Sequence, residues 1–295
     1  MQSVSRGWAF LTQSWKMAMA DRDLIKPSIY ALLVGLVVSI IGTIPIGLAA
    51  FILGTDGSFA QLILGIMGAI LLFVQYAVTY IFSAMTIYLI YGYISEGDGK
   101  MEKAWQIVQR DWLDILSLAA ASTLVNVIKN IIKGNSRQRN PIREAIAGLI
   151  DSLWTEATFL VLPIMVIEDV NLKDGLKRAT YLVKNNLLLI GVSMVGVNWI
   201  TGLIGFVLGL GGILLGLGIA YPIISLAGEN LPLIVFAVIL GVFIASIFIM
   251  IANIISSYTS IAYHTCLYLW ARDVERAGTN ANIPAPAPLA AVLGN

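Results

Sequence analysis

The chain has 295 residues, 58% of them hydrophobic and 12% charged, with a net charge of +1 and a mean hydropathy of +0.86. A soluble domain carries about 45–50% apolar and about 25% charged residues, so this balance points away from water and toward the bilayer. The 18 basic residues lie dispersed in short loops and give no nucleic-acid footprint. One cysteine, Cys266, and one histidine, His264, exclude an intrachain disulfide and argue against a cysteine or histidine metal site.

Residues 3–20 read as an amphipathic helix lying in the membrane interface, with Trp8, Phe10 and Trp15 suited to the headgroup level. Trp8, Leu11, Trp15 and Met19 fall at helical spacing with polar residues between them, unlike a cleavable signal. The first span runs from about Ser28 to Gly54 and turns at Thr55-Asp56-Gly57-Ser58. The second, about Ala60 to Ile94, would be roughly 52 Å long as one helix, against a hydrocarbon core of about 30 Å. A second amphipathic segment, Met101 to Arg110, follows Glu96-Gly97-Asp98-Gly99; its apolar face is Met101, Ala104, Trp105 and Val108.

The third span is about Leu113 to Ile132, followed by the basic loop Lys133 to Pro141. With Asn126 and Lys129 inside it, this span is the weakest crossing. The fourth is about Ala145 to Ile167 and contains Pro163. A third amphipathic segment starts at Asn171, which can cap its helix with Asp174 at the third position. Leu172, Leu176, Ala179 and Val183 make its buried stripe. The fifth run, about Leu187 to Tyr221, carries small-xxx-small pairs at Gly205 and Gly209 and at Gly212 and Gly216. The sixth, about Leu233 to Trp270, ends in an aromatic belt of Tyr258, Tyr263, Tyr268 and Trp270.

The fold class expected is therefore all-α: a polytopic transmembrane helical bundle of about six spans with three amphipathic interfacial elbow helices. Aligning Ser14, Ala104 and Ala179 brings Trp15 over Trp105 and Asp21 over Asp111 and Asn186, which reads as a pseudo-threefold repeat. One membrane domain, 1–272, would hold repeat units at about 3–95, 98–167 and 171–270, with a Pro/Ala-rich tail at 273–295. Elbows and tail carry thirteen basic residues and the opposite loops five, so the elbows and both termini are expected to be cytoplasmic, in the cell membrane.

Polar residues inside spans are costly in lipid and tend to face a bundle interior or a wet cavity. Thr79, Ser83 and Thr86, then Asp151, Thr155 and Thr158, then Asn253, Ser257 and Ser260 each follow a four-then-three spacing, hence one helical face. Gln75 extends the first stripe and Glu156 lies beside the second. One reading is a polar path lined by spans two, four and six; the other is ordinary hydrogen bonding between helices. Asp151 pairs with Arg143 or reaches water. Glu168, Asp169, Asn171 and Arg178 are expected to anchor the third elbow. His264 and Cys266 read as interfacial packing residues.

The pattern from Arg6-Gly7-Trp8 to Ser14-Trp15, with Trp154-Thr155, Pro163, Glu168, Gly175-Leu176-Lys177-Arg178-Ala179 and Cys266-Leu267-Tyr268, resembles an uncharacterised family of six-span prokaryotic membrane proteins. It is similar in outline to the membrane portion attached to some glycerophosphodiester phosphodiesterases. The resemblance implies a fold and no catalytic residues.

No nucleophile–base pair, metal set or cofactor motif stands in a suitable context, so no enzyme activity and no cofactor are expected. The function read from the sequence is a channel or transporter-like unit; the alternative is a membrane scaffold or assembly subunit. Expected partners are the lipid bilayer and, through the glycine-rich fifth span, a second copy or another membrane protein, unless those glycines pack within the chain.

Overall fold

The computed structural model describes residues 2–55, 57–134, 141–228, 230–277 and 284–293, with the side chains of 2–6, 156, 183–200 and 291–293 outside the description. Among the described residues all regular structure is helical: α1 Gln2–Ala20, a 3₁₀ turn Arg22–Leu24, α2 Lys26–Leu53, α3 Ser58–Glu96, α4 Met101–Arg110, α5 Trp112–Lys133, α6 Pro141–Glu168, α7 Leu172–Ala227, α8 Leu231–Ala277 and α9 Ala287–Leu293. Six of these are long and apolar enough to cross a membrane, including α5. Their outward residues are apolar too: Phe51 is 89% exposed and Ile41 64%. Apolar surface of that extent is a liability in water and ordinary against lipid.

Helix ends follow local chemistry. α3 stops where Gly97 takes a left-handed conformation (φ 80°) and its N–H reaches the Tyr93 carbonyl at 3.0 Å. α6 stops the same way, but the left-handed residue is Asp169 (φ 56°), with Val170 N–H donating back to the Met165 carbonyl at 3.4 Å. Asp is one of the few side chains that tolerates this region. α7 then opens on Asn171, whose Oδ1 accepts the Asp174 N–H at 3.0 Å. Pro45, Pro163 and Pro222 sit inside helices, as membrane helices allow.

The chain divides into two compact units. The first comprises Met1–Met17, Leu188–Tyr263 and Ala287–Asn295. Within it, Phe10 is fully buried edge-on to Tyr263, with ring centroids 5.4 Å apart, and the Tyr258 hydroxyl donates to the Ser14 carbonyl at 3.1 Å. Gly216 meets the Gly241 backbone so closely that a Cβ would run into its carbonyl oxygen. The second unit comprises Ala18–Leu187 and His264–Pro286 and holds α2 to α6. There α2 packs on α3, α3 on α5 and α6, and the short α4 lies against α3.

Several expectations need correction. Phe10, Tyr258, Tyr263 and Tyr268 are core residues, not headgroup anchors, because their rings and hydroxyls find partners inside the protein. His264 and Cys266 are likewise buried, with His264 stacked on Phe159 at 4.2 Å. The third elbow is not a separate helix: Leu182 to Ile190 contains neither Pro nor Gly, and α7 runs through it unbroken. The tail contains the helix α9, with Pro288 in its first turn, where a missing N–H costs nothing. Part of the basic loop, 135–140, lies outside the described residues.

Candidate functional site

In the second unit α2, α3 and α5 enclose a cleft of about 1110 Å³. Ser39 and Thr43 reach it from α2, one turn apart; Gln61, Gln75, Tyr76 and Thr79 from α3; Asn130 from α5. Leu71, Leu72, Val127 and Ile131 supply apolar wall between them. No charged side chain is among the described residues that line it.

The polar wall is held by bonds between spans. Gln75 Nε2 donates to Ser39 Oγ at 2.5 Å and to the Gly35 carbonyl at 3.3 Å, tying α3 to α2. Asn126 Nδ2 donates to Tyr76 Oη at 3.3 Å, and Asn130 Nδ2 to Asn126 Oδ1 at 3.0 Å. Deeper in the bundle, Ser122 Oγ accepts from Trp154 Nε1 at 2.9 Å and shares a hydrogen bond with Tyr80 Oη at 2.7 Å. One serine thus joins α3, α5 and α6. Beside it Lys129 and Asp151 form an ion pair at 2.5 Å, with the lysine side chain only 13% exposed. Asp151 therefore has Lys129, not Arg143, as its described partner.

Of the polar stripe residues, Gln75 and Thr79 meet at this cleft. Ser83 is half-buried further along α3, and Thr86 is buried with its hydroxyl on the Phe82 carbonyl. On α6, Thr155 is exposed, while Thr158 is buried and donates to the Thr155 carbonyl. The Glu156 side chain lies outside the described residues. Asn253 and Ser257 are exposed and Ser260 half-buried on α8, in the other unit. Sequence reasoning passed over Ser39, Thr43, Tyr76, Ser122, Asn126 and Asn130. The signal was present: Ser39 and Thr43, and Ser122, Asn126 and Asn130, recur every four residues within apolar runs.

The elbow residues form a second polar set. Asp21 Oδ2, at the end of α1, accepts the Gly99 N–H at 2.8 Å, just before α4. Arg110, at the end of α4, clasps Asp111 through two bonds of 2.6 and 2.9 Å and reaches Asp169 at 3.3 Å, just before α7. Arg178, in α7, bridges Glu168 at 3.4 Å and Glu275 at 2.8 and 2.5 Å. The hydrogen bonds Arg178 donates to Glu275, followed by the neighbouring charge of Glu168, raise its pKa above the ordinary guanidinium range despite desolvation. Tyr268 Oη donates to Glu168 at 2.7 Å. These groups pair with one another across elements of the second unit. No group of three or more His, Cys, Asp or Glu that could hold a metal ion occurs among the described residues.

Fold and cleft together define the class: an all-helical polytopic membrane protein with a polar pocket between its spans. The chain belongs to a family of unknown function (DUF6159), whose model matches residues 63–279. That match takes in α4 to α7 whole, with most of α3 and all of α8. No curated protein matches the chain.

Proposed function

We propose that this protein is a non-enzymatic permeation unit of the channel or transporter type, in which the cleft between α2, α3 and α5 receives the solute. The observation that carries the reading is the wall itself: seven uncharged hydrogen-bonding side chains from three spans stand among apolar ones along an open cleft of about 1110 Å³. Hydroxyls and carboxamides on membrane-spanning helices are costly against hydrocarbon and suit water or a polar ligand. Helix-to-helix bonding accounts for Gln75 and Tyr76, whereas the described bonds of Thr43, Thr79 and Asn130 stay within their own helices and do not explain why these side chains face the cavity. The test is flux into proteoliposomes: Thr79→Val and Asn130→Leu lower it while assembly is unchanged. Equal flux in both variants and the parent contradicts the proposal.

The elbows would stand on the cytoplasmic side, since most basic residues lie there. Three links, from Asp21 to Gly99, from Arg110 to Asp169 and from Arg178 to Glu275, join each elbow to another part of the chain, which supports reading it as three related units. The likeness in outline to the membrane portion of some glycerophosphodiester phosphodiesterases would then concern this plan alone. A scaffold role is favoured by one feature of α7: a side chain at Gly205 or Gly209 would meet nothing within 4 Å among the described residues, so that face could take a second helix. A discrete oligomer in mild detergent, lost in Gly205→Leu with Gly209→Leu, would support it.

A further inference from the structure

Most hydrogens of the cleft wall are committed to described partners. Thr43 Oγ1 donates to the Ser39 carbonyl at 2.6 Å and Thr79 Oγ1 to the Gln75 carbonyl at 2.9 Å, each one turn back on its own helix. Ser39 Oγ donates to the Gly35 carbonyl at 2.8 Å. The three carboxamides behave alike: Gln61 Nε2 donates to the Thr55 carbonyl at 3.3 Å, Gln75 Nε2 to Ser39, and Asn130 Nδ2 to Asn126. A hydroxyl has one donor and two lone pairs, and a carboxamide oxygen is an acceptor only. What these six residues retain is mainly lone pairs, with one N–H each left on Gln61 and Asn130 among the described contacts. Tyr76, whose oxygen accepts from Asn126, keeps the one hydroxyl hydrogen not committed to a described partner.

We propose that the cleft binds a neutral solute rich in hydrogen-bond donors, a polyhydroxylated molecule, and rejects anions. This rests on the permeation reading for the site and adds the ligand's chemistry. An anion brings only acceptors to a wall that offers mainly acceptors, and among the described lining residues it finds no cationic side chain. A cation would be accepted by the lone pairs but finds no carboxylate among the described lining residues to offset its desolvation. A neutral polyol matches the donors, and its carbon skeleton lies against Leu71, Leu72, Val127 and Ile131.

The experiment uses three probes with nearly one skeleton and different charge: sorbitol, gluconate and N-methylglucamine. Equilibrium binding of each to the full chain in nanodiscs is measured, and flux of each into proteoliposomes is measured separately. Sorbitol is expected to bind most tightly, with each charged analogue weaker by about tenfold or more, the scale of one hydrogen bond to a charged or mismatched group. Thr79→Val, which removes an acceptor without breaking a link between helices, weakens sorbitol about tenfold on the same scale. Gln75→Leu does so too, provided it elutes as the parent does. Gluconate binding as tightly as sorbitol, N-methylglucamine binding more tightly, or no sorbitol binding in a well-folded sample overturns the proposal. Sorbitol binding in the expected order without flux upholds the ligand class and removes the permeation reading. Thr79-dependent flux of gluconate does the reverse.

Discussion

Two pairs of long helices illustrate two ways to pack in a membrane. In α2 and α3 the contact is made by side chains that hydrogen-bond, Gln75 to Ser39 and Gly35, and it leaves a large polar-walled cleft. In α7 and α8 the contact is made by backbone, Gly216 against Gly241 and Gly212 against Phe248, and it leaves an apolar gap of about 260 Å³. Lipid tails are as apolar as leucine, so neither pair is driven together by the hydrophobic effect. One uses polar specificity and the other close van der Waals approach. The polar pair has room for a ligand with hydroxyls; the glycine pair has none.

The comparison breaks most easily at Gly216. Leucine there has no flexible neighbour to displace, only the Gly241 backbone, and is expected to destabilise by about 1–3 kcal/mol or more, as overpacking does. Gly209→Leu, which meets nothing among the described residues, should leave the melting temperature unchanged. Similar losses from both would mean that the glycine contact does not hold the pair.

Next comes Ser122→Ala, which strips a partner from both Tyr80 and Trp154. A loss of about 1–3 kcal/mol by thermal unfolding in detergent is expected for buried polar groups left unpaired. Asn171→Ala removes the cap of α7, which neither pair includes in its contact, and should cost about 1 kcal/mol. Gln75→Leu should cost only about 0.6 kcal/mol in stability, the average of polar contacts between membrane helices, while its effect on binding is larger. That contrast separates a ligand residue from a structural one.

The smallest effect is a pH dependence at the elbow. Hydrogen bonds from Lys177 and then Asn171 hold the Asp174 carboxyl below the ordinary carboxylate range. The unfolded chain therefore binds this proton more readily than the folded one. The contribution is present above the ordinary carboxylate pKa and is lost as pH falls through the lowered folded value. Asp174 is solvent-exposed, so the change is slight and should vanish in Asp174→Asn when melting is followed between neutral and strongly acid pH.

The apolar runs made the six candidate spans legible, α5 included, because hydropathy and length suffice for that. The candidate site was legible only in part. Periodicity told which residues share a helical face, so Gln75 and Thr79 were found together. It could not tell which face meets which neighbour, so α6 and α8 were named where α2 and α5 line the cleft. Ser39, Thr43 and Tyr76 were not singled out, because α2 carries few polar residues and a tyrosine in an apolar run does not show which way its hydroxyl faces. The tyrosines of α8 misled for the opposite reason: a belt at the membrane surface and a core stripe have the same spacing, and only their partners, Ser14 and Glu168, separate them.

The measurement that bears most directly on the central contrast is thiol accessibility in the reconstituted protein. Thr79→Cys places a thiol in the polar cleft and Ala245→Cys places one in the apolar gap, while the native Cys266 is fully buried. A membrane-impermeant thiol reagent should modify Thr79→Cys and leave Ala245→Cys and Cys266 untouched, and sorbitol should slow the reaction. An unreactive Thr79→Cys, or equal reaction at both introduced thiols, would contradict a wet cleft and a dry gap.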